Sequence, residues 1–270
     1  MRRALLVLAL AASAGPAMAP APPAQTLDCS KVPCVTLKNA ALPGTRMPAT
    51  GLGTGGYGSG FSCTWSFIAC LNWLRQGGRR IDTALGYLDQ PNVSRALKAY
   101  MKESGLSREH FFITSKIPGG LGEVNSTAAI DTDLEQLGTG YVDLLLAHMP
   151  SGSGGKGTPA ELRRATWRAL SAAFKAGKAR AIGVSNYERR HLQDILPADS
   201  LCPSCEGETT LKPAVNQIEF HPYVQQSPCA SSSGTSRKRR SQVLARGQRG
   251  IPSARTAGAL STARHPGQLL

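Results

Sequence analysis

Acidic residues are scarce in this chain. Its 270 residues carry 17 Asp and Glu against 31 Lys and Arg, a net charge of +14, and none of the acids falls between Val224 and Leu270. That absence locates the excess charge: the eight Lys and Arg of the tail leave +6 for everything before it. The part able to fold is therefore only mildly basic and does not read as a nucleic-acid binder. The tail also lacks aromatic residues and any strand-helix period, which excludes a packed continuation of the fold. What remains is a basic, disordered tail around Arg237-Lys238-Arg239-Arg240, preferred over a nuclear or nucleic-acid patch. No transmembrane segment is expected, because the apolar run over residues 4–14 is too short to span a bilayer. Among seven cysteines, Cys202-Pro203-Ser204-Cys205 has no second such pair and no neighbouring His pair, so no metal site is expected. A loop staple is preferred there over a redox dithiol.

What is present begins with Met1-Arg2-Arg3, the apolar run, and the small-residue sites Ala12-Ser13-Ala14 and Ala17-Met18-Ala19. This is the shape of a secretory signal peptide with a linker, residues 1–24, and predicts a secretory or extracellular protein; an organellar transit peptide is the alternative. An oxidising compartment suits the cysteines, of which Cys29 and Cys34 flank a short stretch before the first strand. Asn92-Val93-Ser94 and Asn125-Ser126-Thr127 are glycosylation sequons in that case.

Apolar residues make up 41% of the chain, enough for a real core. The pattern alternates after a small hairpin at 36–47. Strands are predicted at 49–53, 80–83, 111–117, 142–147, 179–184 and 214–220. Helices are predicted at 66–75, 92–103, 126–137, 159–176 and 188–195, the third capped by Asn125 or Ser126. Repeated strand-helix units of this length predict a parallel sheet covered by helices, with right-handed crossovers.

Three of these strands end on chemistry. The first runs through Arg80-Ile81-Asp82-Thr83 and out to Tyr87, the second ends on Lys116, and the third on His148. Carboxyl ends of strands are where barrel and open α/β enzymes build their sites. A buried lysine needs a partner, and Asp82 is the available one. An ammonium beside a phenol stabilises the phenolate and helps its proton leave, and a histidine nearby can orient a substrate carbonyl. Ser185 and Asn186 at the end of the fifth strand, with Gln217 in the sixth, can bind a carboxamide edge or cap the next helix. Gly51-Leu52-Gly53-Thr54-Gly55-Gly56 has the spacing of a dinucleotide fingerprint without its context, since no helix start follows and no acid stands about twenty residues on. It reads as a glycine-rich loop after a barrel strand. His221 reads as a structural histidine.

Taken in order, Met47-Pro48 to Gly55, Gly78 to Gln90, Thr114-Ser115-Lys116, Leu134 to Pro150, Gly177 to Tyr187 and Lys212 to Tyr223 resemble the motifs of the aldo-keto reductase family. The resemblance covers Val35 to Tyr223. It implies a TIM-type (β/α)8 barrel, incomplete at about six βα units, with an N-terminal β-hairpin. It implies binding of NADP(H) and reduction of an aldehyde or ketone to an alcohol. By it, Tyr87 is the proton donor, Lys116 and Asp82 its tuning pair, and His148 the substrate-orienting group. Gly53, Thr54, Asp82 and Asp89 approach the cofactor, while Ser185, Asn186 and Gln217 hold the nicotinamide amide. The implied protein is a monomer acting on a small carbonyl compound.

Departures from the family pattern are specific. Gln90 replaces the usual Glu, Met149 stands where Trp is frequent, and Gly55 where an aromatic commonly follows Thr54. Past the sixth strand, the family's two further strands, its nicotinamide-stacking aromatic and its phosphate-clamping basic residues are not recognisable in residues 224–270. The expectation is a C-terminally truncated or frame-shifted member with its tetrad intact. Its alternative is a catalytically inactive barrel that binds nucleotide or a protein partner.

Overall fold

The computed structural model describes residues 21–39, 43–56, 64–196 and 211–221. The predicted leader up to Ala19, the Cys202 to Cys205 loop and the basic tail lie outside the described residues. All of the architecture belongs to one compact unit, Met1–Glu219; of a second, Phe220–Leu270, two residues are described.

Two short strands, β1 (Cys34–Thr36) and β2 (Arg46–Pro48), pair antiparallel as the predicted hairpin. A disulfide joins Cys29 to Cys34 at its entrance. Six strands follow: β3 (Leu52–Gly53), β4 (Arg80–Asp82), β5 (Phe112–Ile117), β6 (Val142–Ala147), β7 (Ala179–Ser185) and β8 (Asn216–Gln217). They form one parallel sheet in sequence order, the curled arc of an incomplete (β/α)8 barrel. Between them run α1 (Trp65–Arg75), α2 (Gln90–Ser104), α3 (Glu123–Leu137), α4 (Pro159–Lys175) and α5 (Arg189–Ile195).

Every residue of β5, β6 and β7 is buried, as expected for parallel strands with both faces covered. The two-residue period of each strand sorts its side chains into two cores. Ile113, Ile117, Leu145, Ile182 and Val184 join the helices. Phe112, Leu144, Leu146 and Ala181 face the inside of the arc, where the hairpin's Leu37 and Met47 cover them. Lys116, His148 and Ser185 have the inner parity, so the alternation that builds the core also aims them into the arc.

Helix ends follow local chemistry. Thr158 and Glu161 form a reciprocal capping box at α4, with Pro159 in its first turn. Gly105 and Gly138 end α2 and α3 in left-handed conformations. The expected cap of α3 is wrong: the helix starts at Glu123, because Gly122, at φ 78°, turns the chain directly into it. Ser126 instead lies inside, donating to Thr166 Oγ1 at 3.4 Å. Three further boundaries move, among them the strand predicted at 49–53, which shrinks to Leu52–Gly53. The second helix begins at Gln90 rather than 92, and the sixth predicted strand shrinks to Asn216–Gln217. Of the two sequons, Asn92 and Ser94 are 2% and 5% exposed inside α2, while Asn125 is exposed. A glycan on Asn92 is incompatible with this packing.

The loops after β5 and β6 touch backbone to backbone. A Cβ on Gly152 would lie 1.9 Å from Gly119 O, and one on Gly119 would lie 2.1 Å from Met149 O. Gly155 N–H donates to Gly120 O at 2.8 Å across the same contact. Gly152→Ala should therefore cost about 1–3 kcal/mol of stability, the ordinary penalty of overpacking. Urea unfolding of the variant checks this, and an unchanged midpoint would refute the contact.

Candidate active site

Lys116 is the centre of the site. Its side chain is 2% exposed, and its ammonium donates to Asp82 Oδ1, to Thr83 O at 3.0 Å and to Tyr87 Oη at 3.3 Å. A buried ammonium is tolerable when each N–H finds an acceptor, and here all three do. The sheet register produces the meeting: Asp82 pairs with Thr114, so Lys116, two residues on, projects beyond the end of β4. Tyr87 arrives on a short 3-10 turn, Leu85–Tyr87, whose next residue, Leu88, is left-handed at φ 58°. The ammonium lies 4.9 Å from the centre of the Tyr87 ring.

His148 continues β6, its N–H bonded to Ile117 O at 2.9 Å, and its ring meets Tyr87 edge-on with centroids 5.4 Å apart. Burial lowers the imidazole pKa from its ordinary value, the charge of Lys116 lowers it further, and Asp82 opposes both. His148 is thus neutral at pH 7 and offers one N–H.

Around these groups is an open cleft of about 300 Å³ lined by Tyr87, Lys116, His148, Ser185, Asn186, Gln217, Ile218 and Glu219. Asn186 turns the chain after β7 in a left-handed conformation at φ 61°, which Asn adopts more readily than most residues. Its amide donates to His148 O at 3.1 Å, Met149 Sδ at 3.1 Å and Ser185 Oγ at 3.0 Å. Ser185 Oγ donates to Gln217 O at 2.9 Å, and Gln217 Nε2 to Asp82 Oδ2 at 2.7 Å. Gln217 therefore grips the far oxygen of the carboxylate that holds Lys116, a link that nothing in the sequence indicates.

The structure brings together Asp82, Tyr87, Lys116, His148, Ser185, Asn186 and Gln217. It does not bring Gly53, Thr54 or Asp89 to the cleft lining. Thr54 is buried, and its N–H bonds Asp82 O at 2.9 Å. Asp89 is buried as well and turns inward to accept from Thr83 Oγ1 at 3.0 Å; burial pushes its carboxyl up, against the Thr54 and Thr83 hydroxyls. Gly55 matters through its missing side chain, since a Cβ there would lie 3.0 Å from Tyr87 Cζ. The glycine leaves room for the phenol. Sequence reasoning missed Ile218 and Glu219, which line the cleft on residues predicted to be plain strand.

Comparison with known proteins agrees with this geometry. The model of the aldo/keto reductase family matches residues 51–232. Glyoxal reductase of Bacillus subtilis is 39% identical over 184 residues, covering 68% of this chain and 58% of the relative. The crystal structure of an aldo/keto reductase from Brucella melitensis has a TM-score of 0.58 and 32% identity, over 72% of this chain and 66% of that one. An aldo-keto reductase of Bombyx mori, solved in complex with NADP, has a TM-score of 0.56 and 27% identity, over 70% of this chain and 59% of that one. The chain thus spans somewhat less than three fifths of the length of the glyoxal reductase it matches. With six parallel strands in family order, and a match over more than half its length, the chain belongs to the aldo/keto reductase family.

Proposed function

We propose that this chain carries the catalytic half of an NADPH-dependent reductase that converts an aldehyde or ketone to an alcohol. One observation carries the proposal: Lys116 Nζ bonded at once to Asp82, Thr83 O and Tyr87 Oη, beside a neutral His148 at the floor of an open cleft. The amide and hydroxyl groups of Ser185, Asn186 and Gln217 on the cleft wall suit the carboxamide of a nicotinamide. When bound, the reduced nicotinamide supplies a hydride to the carbonyl carbon.

The chain's own residues do the rest. His148 donates its N–H to the carbonyl oxygen and fixes its direction. Tyr87 gives its proton to that oxygen as negative charge develops there, completing the alcohol O–H. The Lys116 ammonium stabilises the phenolate left behind, and Asp82 holds the ammonium in place. Gln217 restrains the carboxylate from behind.

A second reading has its own support. Ser185, Asn186 and Gln217 are already bonded to each other or to Asp82, so these three side chains have partners without a ligand. This favours a barrel that binds nucleotide or a partner without turnover. Titration of the full chain with NADPH, following the fluorescence of Trp65, Trp73 and Trp167 with NADH as control, separates the two. Saturable quenching together with carbonyl-dependent oxidation of NADPH is the expected result. Quenching without turnover supports the second reading, and no quenching refutes both as nucleotide sites.

A further inference from the structure

On the face of β5 opposite Lys116 a second polar cluster lies wholly inside the protein. Asp133 of α3, Gln90 at the start of α2 and Ser115 of β5 are each 0% exposed. Ser115 Oγ donates to Asp133 Oδ1 at 2.7 Å. Gln90 Nε2 donates to Ser115 Oγ at 3.0 Å and to the same Asp133 oxygen. Every donor converges on Oδ1. Asp133 Oδ2 and Gln90 Oε1 are left buried and without partners.

Two buried acceptors in one cluster, with no donor for either, are an unstable arrangement if Asp133 is ionised. A single proton removes the conflict. On Oδ2 it makes that oxygen a donor, and the Gln90 amide, already bonded to the same carboxyl through Nε2, carries the unpartnered acceptor Oε1. We propose that Asp133 is a positioning residue for Lys116, and that it acts as a neutral acid whose proton is donated to Gln90 Oε1. The acid-amide pair then anchors Ser115, and through one peptide bond it sets where Lys116 leaves β5. Its importance for catalysis rests on the reductase reading above.

The residue types fit. A Glu at position 90, which the family resemblance leads one to expect, would set a second carboxyl against Asp133 with no amide to complement it. Facing Asp133 across the packed elements are Gln90 from α2 and Ser115 from β5; Lys116, on the other face of β5, acts only through its charge, and Asp89, next to Gln90, is the other buried carboxyl at that end of α2. Burial pushes the Asp133 carboxyl up to about 6, opposed by the Gln90 and Ser115 bonds and by the charge of Lys116. A raised folded value means that the folded state binds the proton more tightly. The stability is fully present below the ordinary value of 3.8 and is lost as pH rises through about 6.

Asp133→Asn is the direct test, because the amide supplies both the acceptor and the donor of the neutral acid. Urea unfolding of the full chain at pH 5 and pH 8 should show the wild-type folding constant falling about tenfold more than that of the variant. Labelling of Lys116 by an amine reagent, read by mass spectrometry, should be slow in wild type and Asp133→Asn and at least about tenfold faster in Asp133→Ala, where the anchor is gone. Parallel pH curves would overturn the proposal. So would Asp133→Asn labelling as fast as Asp133→Ala, or failing to fold at pH 5. No arm requires turnover, so loss of the reductase reading leaves the result interpretable.

Discussion

Asp143→Ala should leave most of the chain unfolded at 25 °C. Asp143 and Arg180 each have side chains 1% exposed, and that of Arg108 is 13% exposed. The carboxylate meets Arg108 Nη2 at 2.8 Å and Arg180 Nε at 2.9 Å, and it accepts from Ile113 N–H at 2.9 Å. The two guanidinium groups lie 4.5 and 4.8 Å from the centre of the Tyr141 ring, and Arg180 Nη2 donates to its hydroxyl at 3.2 Å. One anion thus compensates two cations at the foot of β6 and β7. Breaking a single buried pair costs about 3–5 kcal/mol, because an uncompensated charge stays behind. Losing the partner of both approaches the whole stability of an ordinary domain, about 5–15 kcal/mol. Asp143→Asn, which keeps the bond from Ile113 but not the charge, should fall between. Circular dichroism and urea unfolding measure both, and an Asp143→Ala chain with wild-type stability would show that Arg108 and Arg180 find other partners or water.

Tyr87→Phe should lower turnover of a small carbonyl by about 10²–10⁴, the range for loss of a positioned general acid. Phe keeps the edge-on contact with His148 and the ring face toward Lys116, so the fold and nucleotide binding should hold. Lys116→Met should cost at least about 10², by removing the cation that receives the phenolate, and it also frees Asp82 Oδ1. Single-turnover rates at saturating NADPH, with affinity from tryptophan quenching, separate chemistry from binding. A Tyr87→Phe chain with wild-type turnover would refute Tyr87 as the proton donor. Equal losses of affinity and rate would instead point to a collapsed cleft.

The candidate tetrad was legible in the sequence because Lys116 and His148 each end an apolar run, Asp82 ends a short strand, and Tyr87 follows it by five residues. Strand ends are sites in this architecture, and the strand period fixes which face a residue takes once the core is known. The runs ending at Asp82, Lys116 and His148 therefore named a site before any contact was visible. The cluster behind it was not legible. Asp133 lies in a helical stretch with acids on either side, Asp131 and Glu135, and nothing local separates the one aimed at β5 from the others. Gln90 stood out only as a departure from the family's Glu. The family resemblance places Asp89 at the cofactor, and in the structure its carboxylate accepts from Thr83 Oγ1.

The sequence by itself determined the order of six strands and five helices, the hairpin before them, and the strand-end positions of Asp82, Lys116 and His148. Hydrophobic period and capping residues act over one or two turns of chain, and that range suffices for such features. Only the tertiary structure decided which polar groups meet. Gln217 reaches Asp82 over 135 residues, Arg180 meets Tyr141 over 39, and Gln90 meets Asp133 over 43. Such contacts follow from strand register and helix packing, where a shift of one residue exchanges the partners of every side chain, and no short stretch of sequence encodes that register alone.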